Sequence, residues 1–498
     1  MTSFAEQCGL HDTARQTALE RTAKLIETSG VELVRFAWCD LHGMLRGKTL
    51  VASAAVKAMM SGVSMVSTLL LKDSGDRTAY KVFDEEFNQQ GTPELTGFGF
   101  AGNVMLLADP SSYQQLPWAP KTGWLQCQAW HVDGQPIEFD TRRVLQKALA
   151  QLAETGYGMT CGLEVEFHIY KINSDQEARQ LDPMLADWPG PAPDVSMIHP
   201  GFHMLSEQWA DMADEPLRIV QHTAQALGLP LLSLEIELGP SQVEAVFEPT
   251  DALKAADNMV LFRSAIKQAL RRAGYHATFV CRPPFPRIMS SGWHLHQSLT
   301  DIATGQNAFM REAPLHNSQT GEAQHTLSSI GEHYLAGLLA HAYGMTAFCT
   351  PTINGYDRFQ PNALAPQSAL WGSDNRGAML RVIGGAQDPA TRIENRIGEP
   401  AANPYLYMAA QIHAGKDGMQ ARMPAPLATI APYAAADKLL PASLGKALEI
   451  LNNDHPLAEA FGMNFIRYFT RIKESELHRF ESAKDKDEWQ RREYFGRI

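Results

Sequence analysis

The chain has 498 residues, 45% hydrophobic and 20% charged, the composition of an ordinary globular protein long enough for two or more domains with a large core. Lys+Arg 43 against Asp+Glu 55 leaves a net charge of -12, which disfavours a dedicated binder of nucleic acid or anionic membrane, so an anionic substrate needs local arginines or metal ions. The cysteines (Cys8, Cys39, Cys127, Cys161, Cys281, Cys349) lie far apart with no CxxC pair, suggesting neither a zinc site nor a disulfide scaffold but reduced thiols, and no run is as long as a membrane span, so the expected compartment is the cytoplasm.

In chain order, Asp12 caps a helix carrying Ala18, Leu19, Ala23 and Ile26, ended by Gly30. Val31 to Trp38 reads as a strand and runs into CDLHG, a turn at Asp40 to Gly43. Short strands and turns continue to about Pro120, so residues 1–122 are expected as a small mixed domain and 123–498 as a larger one. From Trp124 a strand reaches Trp130, and Asp140 caps a helix with Val144, Leu145, Ala148 and Leu152 on one face. Pro183 to Pro200 holds five prolines and reads as a surface loop. Strands at Leu231 to Leu238 and Val243 to Phe247 precede a helix begun by Thr250 or Asp251, with Met259, Phe262, Ile266 and Leu270 on one face. A strand at His276 to Arg282 follows, and amphipathic helices after about Ala442 close the chain with a charged tail. The expected fold class is α+β, a largely antiparallel sheet with helices on its outer side.

Chemistry concentrates in a few short stretches. GLEVEF places Glu164 and Glu166 two apart in an apolar run, hence side by side on one face of a strand. Adjacent buried carboxylates repel and need cations, which hard divalent ions supply. Glu237 and Glu244 bracket ELGPSQVE, where Gly239 and Pro240 break the strand and let both turn toward one site. His294, His296 and Ser298 alternate with Trp293, Leu295 and Leu299, and Glu394 alternates with Arg392 and Arg396 in RIENR. Arg358, Arg376, Arg381, Arg392 and Arg396 crowd loops and strands of one region, as recognition of phosphate and carboxylate requires. No Walker sequence and no GxGxxG following a strand is present, so metals and arginines would have to hold a nucleotide.

With CDLHG, GLEVEF, ELGPSQVE, SGWHLHQS, NGYDRFQPN, DNRGAMLR and RIENRIGEPAANPYLYMAA in this order, the chain resembles the glutamine synthetase family over nearly its whole length. The resemblance implies an N-terminal β-grasp domain and a catalytic domain whose curved antiparallel sheet forms half of a funnel. It also implies ring homo-oligomers, usually two stacked hexamers making a dodecamer, with Asp40 reaching into the next subunit's site. By motif, Glu166, Glu237 and Glu244 resemble ligands of one Mg²⁺ or Mn²⁺ ion, and Glu164, His294 and Glu394 ligands of another. Arg358 is similar to the arginine at the α-carboxylate of glutamate and Arg396 to the one at its γ-carboxylate. Arg376 and Arg381 resemble the clamp on the transferred phosphoryl group, with His296, Ser298 and Arg392 nearer the ATP. The implied reaction makes a γ-glutamyl phosphate that an amine displaces.

The departures bear on the amine. Glutamine synthetases proper carry a glutamate just before the Ala-Pro equivalent to Ala365 and Pro366, whereas FQPNALAP here has Leu364 beside that alanine. An ammonium ion, with a pKa of about 10 like that of lysine, needs an anionic pocket and a base before it attacks, and leucine supplies neither. Phe202 stands where the family has a tyrosine in the same pocket, and Met289-Ser290 replaces the family's Asn-Gly in the loop, running to Gly292, that holds the glutamate amino group. A pocket rich in apolar surface favours an amine that arrives neutral, which points to γ-glutamylanilide synthesis ahead of oxidation of the aromatic amine. Trp293, Trp371, Tyr356 and Phe359 are candidate pocket walls. The rivals are ligases for alkylamines, ethanolamine or polyamines with Asp40 as cation partner or base, glutamine synthetase proper, and an inactive scaffold or nitrogen sensor.

Overall fold

The computed structural model describes residues 2–95, 98, 101–173, 180–316, 323–360, 365–434 and 438–498. The helix Thr13–Thr28 begins where Asp12 accepts a hydrogen bond from the Arg15 N–H, as the sequence predicts. It precedes a sheet of β1 (Leu33–Cys39), β2 (Leu45–Val51), β3 (Val63–Val66), β4 (Asn103–Ala108), β5 (Gln114–Gln115) and β6 (Thr122–Trp130). The order is β2-β1-β6-β4-β3, with β1 parallel to β6 and antiparallel to β2, the β-grasp arrangement. Pairing of β6 with β1 and with β4 carries this first sheet to Trp130, past the division expected at 122/123.

The second sheet is built around β7 (Tyr157–Ile172), whose sixteen residues contain GLEVEF. Its other strands are β8 (Val195–Met197), β9 (Leu231–Ile236), β10 (Gln242–Asp251), β11 (Tyr275–Thr278), β12 (Trp293–Asp301), β15 (Trp371–Ser373), β16 (Leu380–Ile383) and β17 (Arg392–Gly398), while β13 (Met310–His316) and β14 (Ala323–Leu327) form a separate hairpin. The path is β15-β16-β17-β12-β7-β10-β9, with β8 and β11 also on β7, and among the described pairs of this sheet only the short β15–β16 pair is parallel. It curls into a half-barrel, the shape the resemblance implies.

Period-two alternation decides what each face carries. Leu163, Val165 and Phe167 of β7, Val243, Ala245 and Phe247 of β10, and Trp293, Leu295 and Leu299 of β12 are buried against helices. Phe262, from the helix Ala252–Arg272, meets Phe167 and Phe247 edge-on, and Tyr407, from the helix Pro404–Ala421, meets Trp293 edge-on. Within this layer the Gln411 side-chain oxygen accepts from Gln297 and Asn395, so its polar groups are satisfied. The opposite face of the same strands is left for the carboxylates and histidines.

Some boundaries differ from the sequence reading for local reasons. The proline-rich segment contains β8, whose three residues are too few for periodicity to reveal. The strand expected to reach Arg282 stops at Thr278, because the next N–H, that of Phe279, donates to the Ile498 carbonyl rather than to a sheet neighbour. Trp293, Trp371 and Tyr356 are core residues rather than pocket walls, and the Trp371 indole N–H donates to the Pro426 carbonyl. No helix among the described residues is long and apolar enough to cross a membrane.

At the junction of the helices Ser329–Ala340 and Ala342–Cys349, His341 is held between two carboxylates, with Nδ1 2.9 Å from Asp454 and Nε2 2.9 Å from Asp417. Burial alone would lower the imidazole pKa, but the bonds to Asp454 and Asp417 outweigh it and raise it above the usual value. A raised folded-state pKa gives stability that is full below the unfolded value of about 6.5 and is lost as pH rises through the folded value. The melting temperature of wild type should therefore exceed that of H341Q most at pH 6 and converge toward it as pH rises. A constant difference across pH would contradict this pairing.

Candidate active site

Strand register brings the acid and histidine positions together. Glu244 lies opposite Glu166, His294 opposite Glu164, and His296 opposite Glu394. The His294 Nδ1 atom is 3.3 Å from Glu164, 3.7 Å from Glu394 and 3.9 Å from Glu244, and its Nε2 is 3.8 Å from Glu166. His296 Nε2 lies 3.0 Å from the other Glu164 oxygen. Glu237 follows the end of β9, where its backbone N–H donates to the Gln242 carbonyl and its carboxylate accepts from the Leu238 N–H.

Burying like charges has the expected electrostatic result. Burial, then repulsion from Glu166, Glu164 and Glu237, pushes Glu244 up to about 10; burial and the charge of Glu237 push Glu166 up to about 7. Burial also raises Glu237, and it lowers His294 to about 4. Glu164 goes the other way, because hydrogen bonds from His294 and His296 outweigh its burial and hold it well below the usual range. Protein cations offset only part of this charge. Arg381 bonds Glu394 at 3.0 Å and Asp374 at 2.9 Å, and Arg396 pairs with the other Glu394 oxygen.

The donor set fits a hard divalent cation. Two groups of ligand atoms, Glu164, Glu244 and His294, and Glu164, His296 and Glu394, each lie within 4.8 Å of one another. They are rich in carboxylate oxygens, and the side-chain Nε2 atom of His294 is buried without a hydrogen bond. This grouping shares Glu164 between the two sets and brings in His296, which differs from the division the resemblance implies.

The remaining positions sort themselves by place. Arg358 packs on Gly292, where any Cβ would collide with the guanidinium, and its Nη1 donates to the carbonyls of Arg396 and Gly398 at 2.8 and 3.1 Å. Ser290 accepts from Arg282 through Oγ and from Gln242 through its carbonyl. His296, Ser298 and Arg392 border a cavity of about 370 Å³ with Gly162, Phe247 and Pro249, and Arg392 Nε donates to His296 Nδ1 at 3.0 Å. Arg376 is exposed on the loop before β16. Phe202 is 58% exposed at a positive φ of 56°, beside the end of β9, where its N–H donates to the Leu238 carbonyl. Leu364 lies outside the described residues.

Asp40 stands apart, at the end of β1 in the first sheet, and is only 2% exposed. Its carboxylate accepts from the N–H groups of His42 and Met44 at 3.0 and 2.9 Å and from Arg46 Nε at 2.7 Å, while Arg46 reaches Asp76 at 2.7 Å. Within one chain it is therefore an engaged turn carboxylate rather than a free base. Two functional residues escape the sequence reading. One is Arg46, for which spacing gave no signal. The other is Gln242, whose amide donates to Glu166 Oε2 at 2.9 Å while Gly292 N–H donates to the same oxygen at 2.8 Å. Its position two before Glu244, on the same strand face, could have revealed it.

Residues 138–494 match the profile described as "Glutamine synthetase, catalytic domain". The chain is 38% identical to the gamma-glutamylanilide synthase of Acinetobacter sp, covering 99% of this chain and 98% of the relative. It is 28% identical to the glutamate–isopropylamine ligase of Pseudomonas sp, covering 92% and 94%. A solved structure of the GmaS/ADP complex superposes with a TM-score of 0.73 at 26% identity, covering 95% of this chain and 98% of that one.

E166A or H294A should weaken Mn²⁺ binding by roughly tenfold or more in calorimetric titration. Unchanged affinity in both variants would remove these side chains from the ion site. G292A should raise the KM for the acid substrate, because the methyl displaces Arg358, while leaving Mn²⁺ affinity near wild type; an unchanged KM would detach Arg358 from that substrate.

Proposed function

The chain belongs to the glutamine synthetase family, as an ATP-dependent carbon–nitrogen ligase joining glutamate to an amine, and on that premise we propose that its amine is aromatic and its product a γ-glutamylanilide. In the reaction a γ-carboxylate oxygen of glutamate attacks the terminal phosphorus of ATP, releasing ADP and leaving an acyl phosphate. The amine nitrogen then adds to the acyl carbon, phosphate leaves with that oxygen, and the nitrogen loses a proton. Arg358 and Arg396 orient the two carboxylates of glutamate, and Arg381, anchored on Asp374 and Glu394, faces the phosphoryl group. His296, Ser298 and Arg392 border the cavity assigned to ATP. Glu164, Glu166, Glu237, Glu244, His294 and Glu394 would hold Mg²⁺ or Mn²⁺, which would neutralise charge on the phosphates. Arg376, exposed on the loop before β16, would join Arg381 in the clamp on that phosphoryl group.

The observation that carries the aromatic reading is the closure of Asp40 by Arg46 at 2.7 Å. An alkylammonium ion needs a carboxylate to bind it and to take its proton, and the aspartate that the rival reading relies on is already spent. An aniline is neutral at pH 7 and needs neither. Leu364 in the glutamate's place and an apolar Phe202 support the same choice, as does similarity to a gamma-glutamylanilide synthase. The assembly that goes with this reading is a ring homo-oligomer of two hexamers, and light scattering in solution would weigh it.

Phosphate release from ATP with L-glutamate and Mg²⁺ should be at least about tenfold faster, per kcat/KM, with aniline than with ammonia, ethylamine, isopropylamine or putrescine at neutral pH. L364E and R46Q should each move preference toward the alkylamines. An alkylamine preference in wild type, or unchanged selectivity in both variants, would contradict the neutral-amine reading.

A further inference from the structure

The single helical turn Asn354–Arg358, which carries Arg358, is gripped by side chains that lie away from the carboxylate face. Just before it, the Thr352 hydroxyl donates to Glu399 Oε2 at 2.8 Å and accepts from the Gly355 N–H at 3.1 Å, while the Thr352 N–H donates to the other Glu399 oxygen at 2.7 Å. Gly355 sits so close to this carboxylate that a Cβ would lie 2.7 Å from Glu399 Oε2. Ile353 donates its N–H to the Tyr494 hydroxyl at 3.2 Å, and that hydroxyl donates in turn to Glu476, which pairs with Lys473 at 3.2 Å. Asn354 accepts from the Arg282 N–H at 2.7 Å, and its amide donates to the Arg282 carbonyl at 2.9 Å and to Gln490 at 2.7 Å. Three successive residues are thus held, two of them by the C-terminal segment.

Thr352, Asn354, Glu399, Glu476 and Tyr494 are all buried. Because unfolded polar groups already bond water, a buried network of this kind adds modest net stability, and its larger effect is to fix one backbone geometry. That geometry ends on Arg358, whose Nη1 reaches the carbonyl of Gly398, the residue before Glu399, so the turn and the end of β17 are tied to each other at two points. The C-terminal segment is itself anchored, since Glu493 pairs with Arg479, which bonds Asp73, between β3 and β4, at 2.8 Å. A misplaced substrate clamp is costly to an enzyme that must align a carboxylate for attack. Resting on the role proposed above for Arg358 at a carboxylate of glutamate, we infer that Tyr494 and Thr352, the latter through Glu399, are positioning residues that hold the Arg358 guanidinium in the orientation the acid substrate meets.

The test uses the full-length protein. Y494F removes the hydroxyl and keeps the ring, T352V removes a hydroxyl at nearly constant shape, and T352S restores it. Y494F and T352V should each raise the KM for glutamate roughly fivefold, the worth of one hydrogen bond, with the KM for ATP near wild type, and T352S should return toward the wild-type value. Amide hydrogen exchange over residues 352–358, followed by mass spectrometry, should be roughly tenfold faster in both hydroxyl-deleted variants. Q490A, which frees the Asn354 amide, provides the second comparison if T352V does not fold. Unchanged exchange, faster exchange with an unchanged glutamate KM, or an equal rise in the KM values of glutamate and ATP would overturn the assignment. Wild type without glutamate turnover would refute the proposed function rather than the hold on this turn, which the exchange rates then decide alone.

Discussion

Everything in the larger sheet depends on holding several carboxylates on one face without letting them drive the sheet apart. Glu164, Glu166, Glu244 and Glu394 cannot be spread out, because register fixes them across neighbouring strands. Their repulsion appears in the raised pKa values of Glu166, Glu237 and Glu244, while arginines bond Glu394 directly and histidine N–H groups serve Glu164. The unmet charge is what makes this face fit divalent ions and, through them, the phosphates of a nucleotide. The opposite face makes the arrangement affordable to the fold, since the same strands bury aromatic and branched residues against two long helices.

The same constraint explains the arginines. Arg381 and Arg396 serve Glu394 directly, and Arg358 is fixed by two backbone carbonyls and by the space Gly292 leaves open. Each guanidinium is held before any substrate arrives, which lowers the ordering cost at the moment of binding. Gln242 does the equivalent for Glu166, and through Ser291 it ties that carboxylate to the loop after β11.

What the sequence made legible was whatever repeats with period two. GLEVEF, WHLHQSL and RIENRIG each alternate core and site residues, so faces and strands followed from periodicity, while the ligand sets came from the family resemblance. Relations between distant segments were not legible. The grip of Arg46 on Asp40, the withdrawal of Phe279 from the sheet by the chain's last residue, and the pairing of β6 with β1 depend on three-dimensional approach that no local pattern encodes. Aromatic residues were ambiguous for a related reason: Trp293 and Trp371 read as possible pocket walls, but their register or packing put them in the core.

The central claim is that this face couples ATP cleavage to amide formation through the γ-carboxylate of glutamate. Turnover with L-glutamate labelled with ¹⁸O in its γ-carboxylate, in the presence of ATP and aniline, tests it directly. Mass spectrometry should find one labelled oxygen in the phosphate for each amide formed, since the acyl oxygen that attacked phosphorus departs with it. Amide formed with unlabelled phosphate would contradict the account.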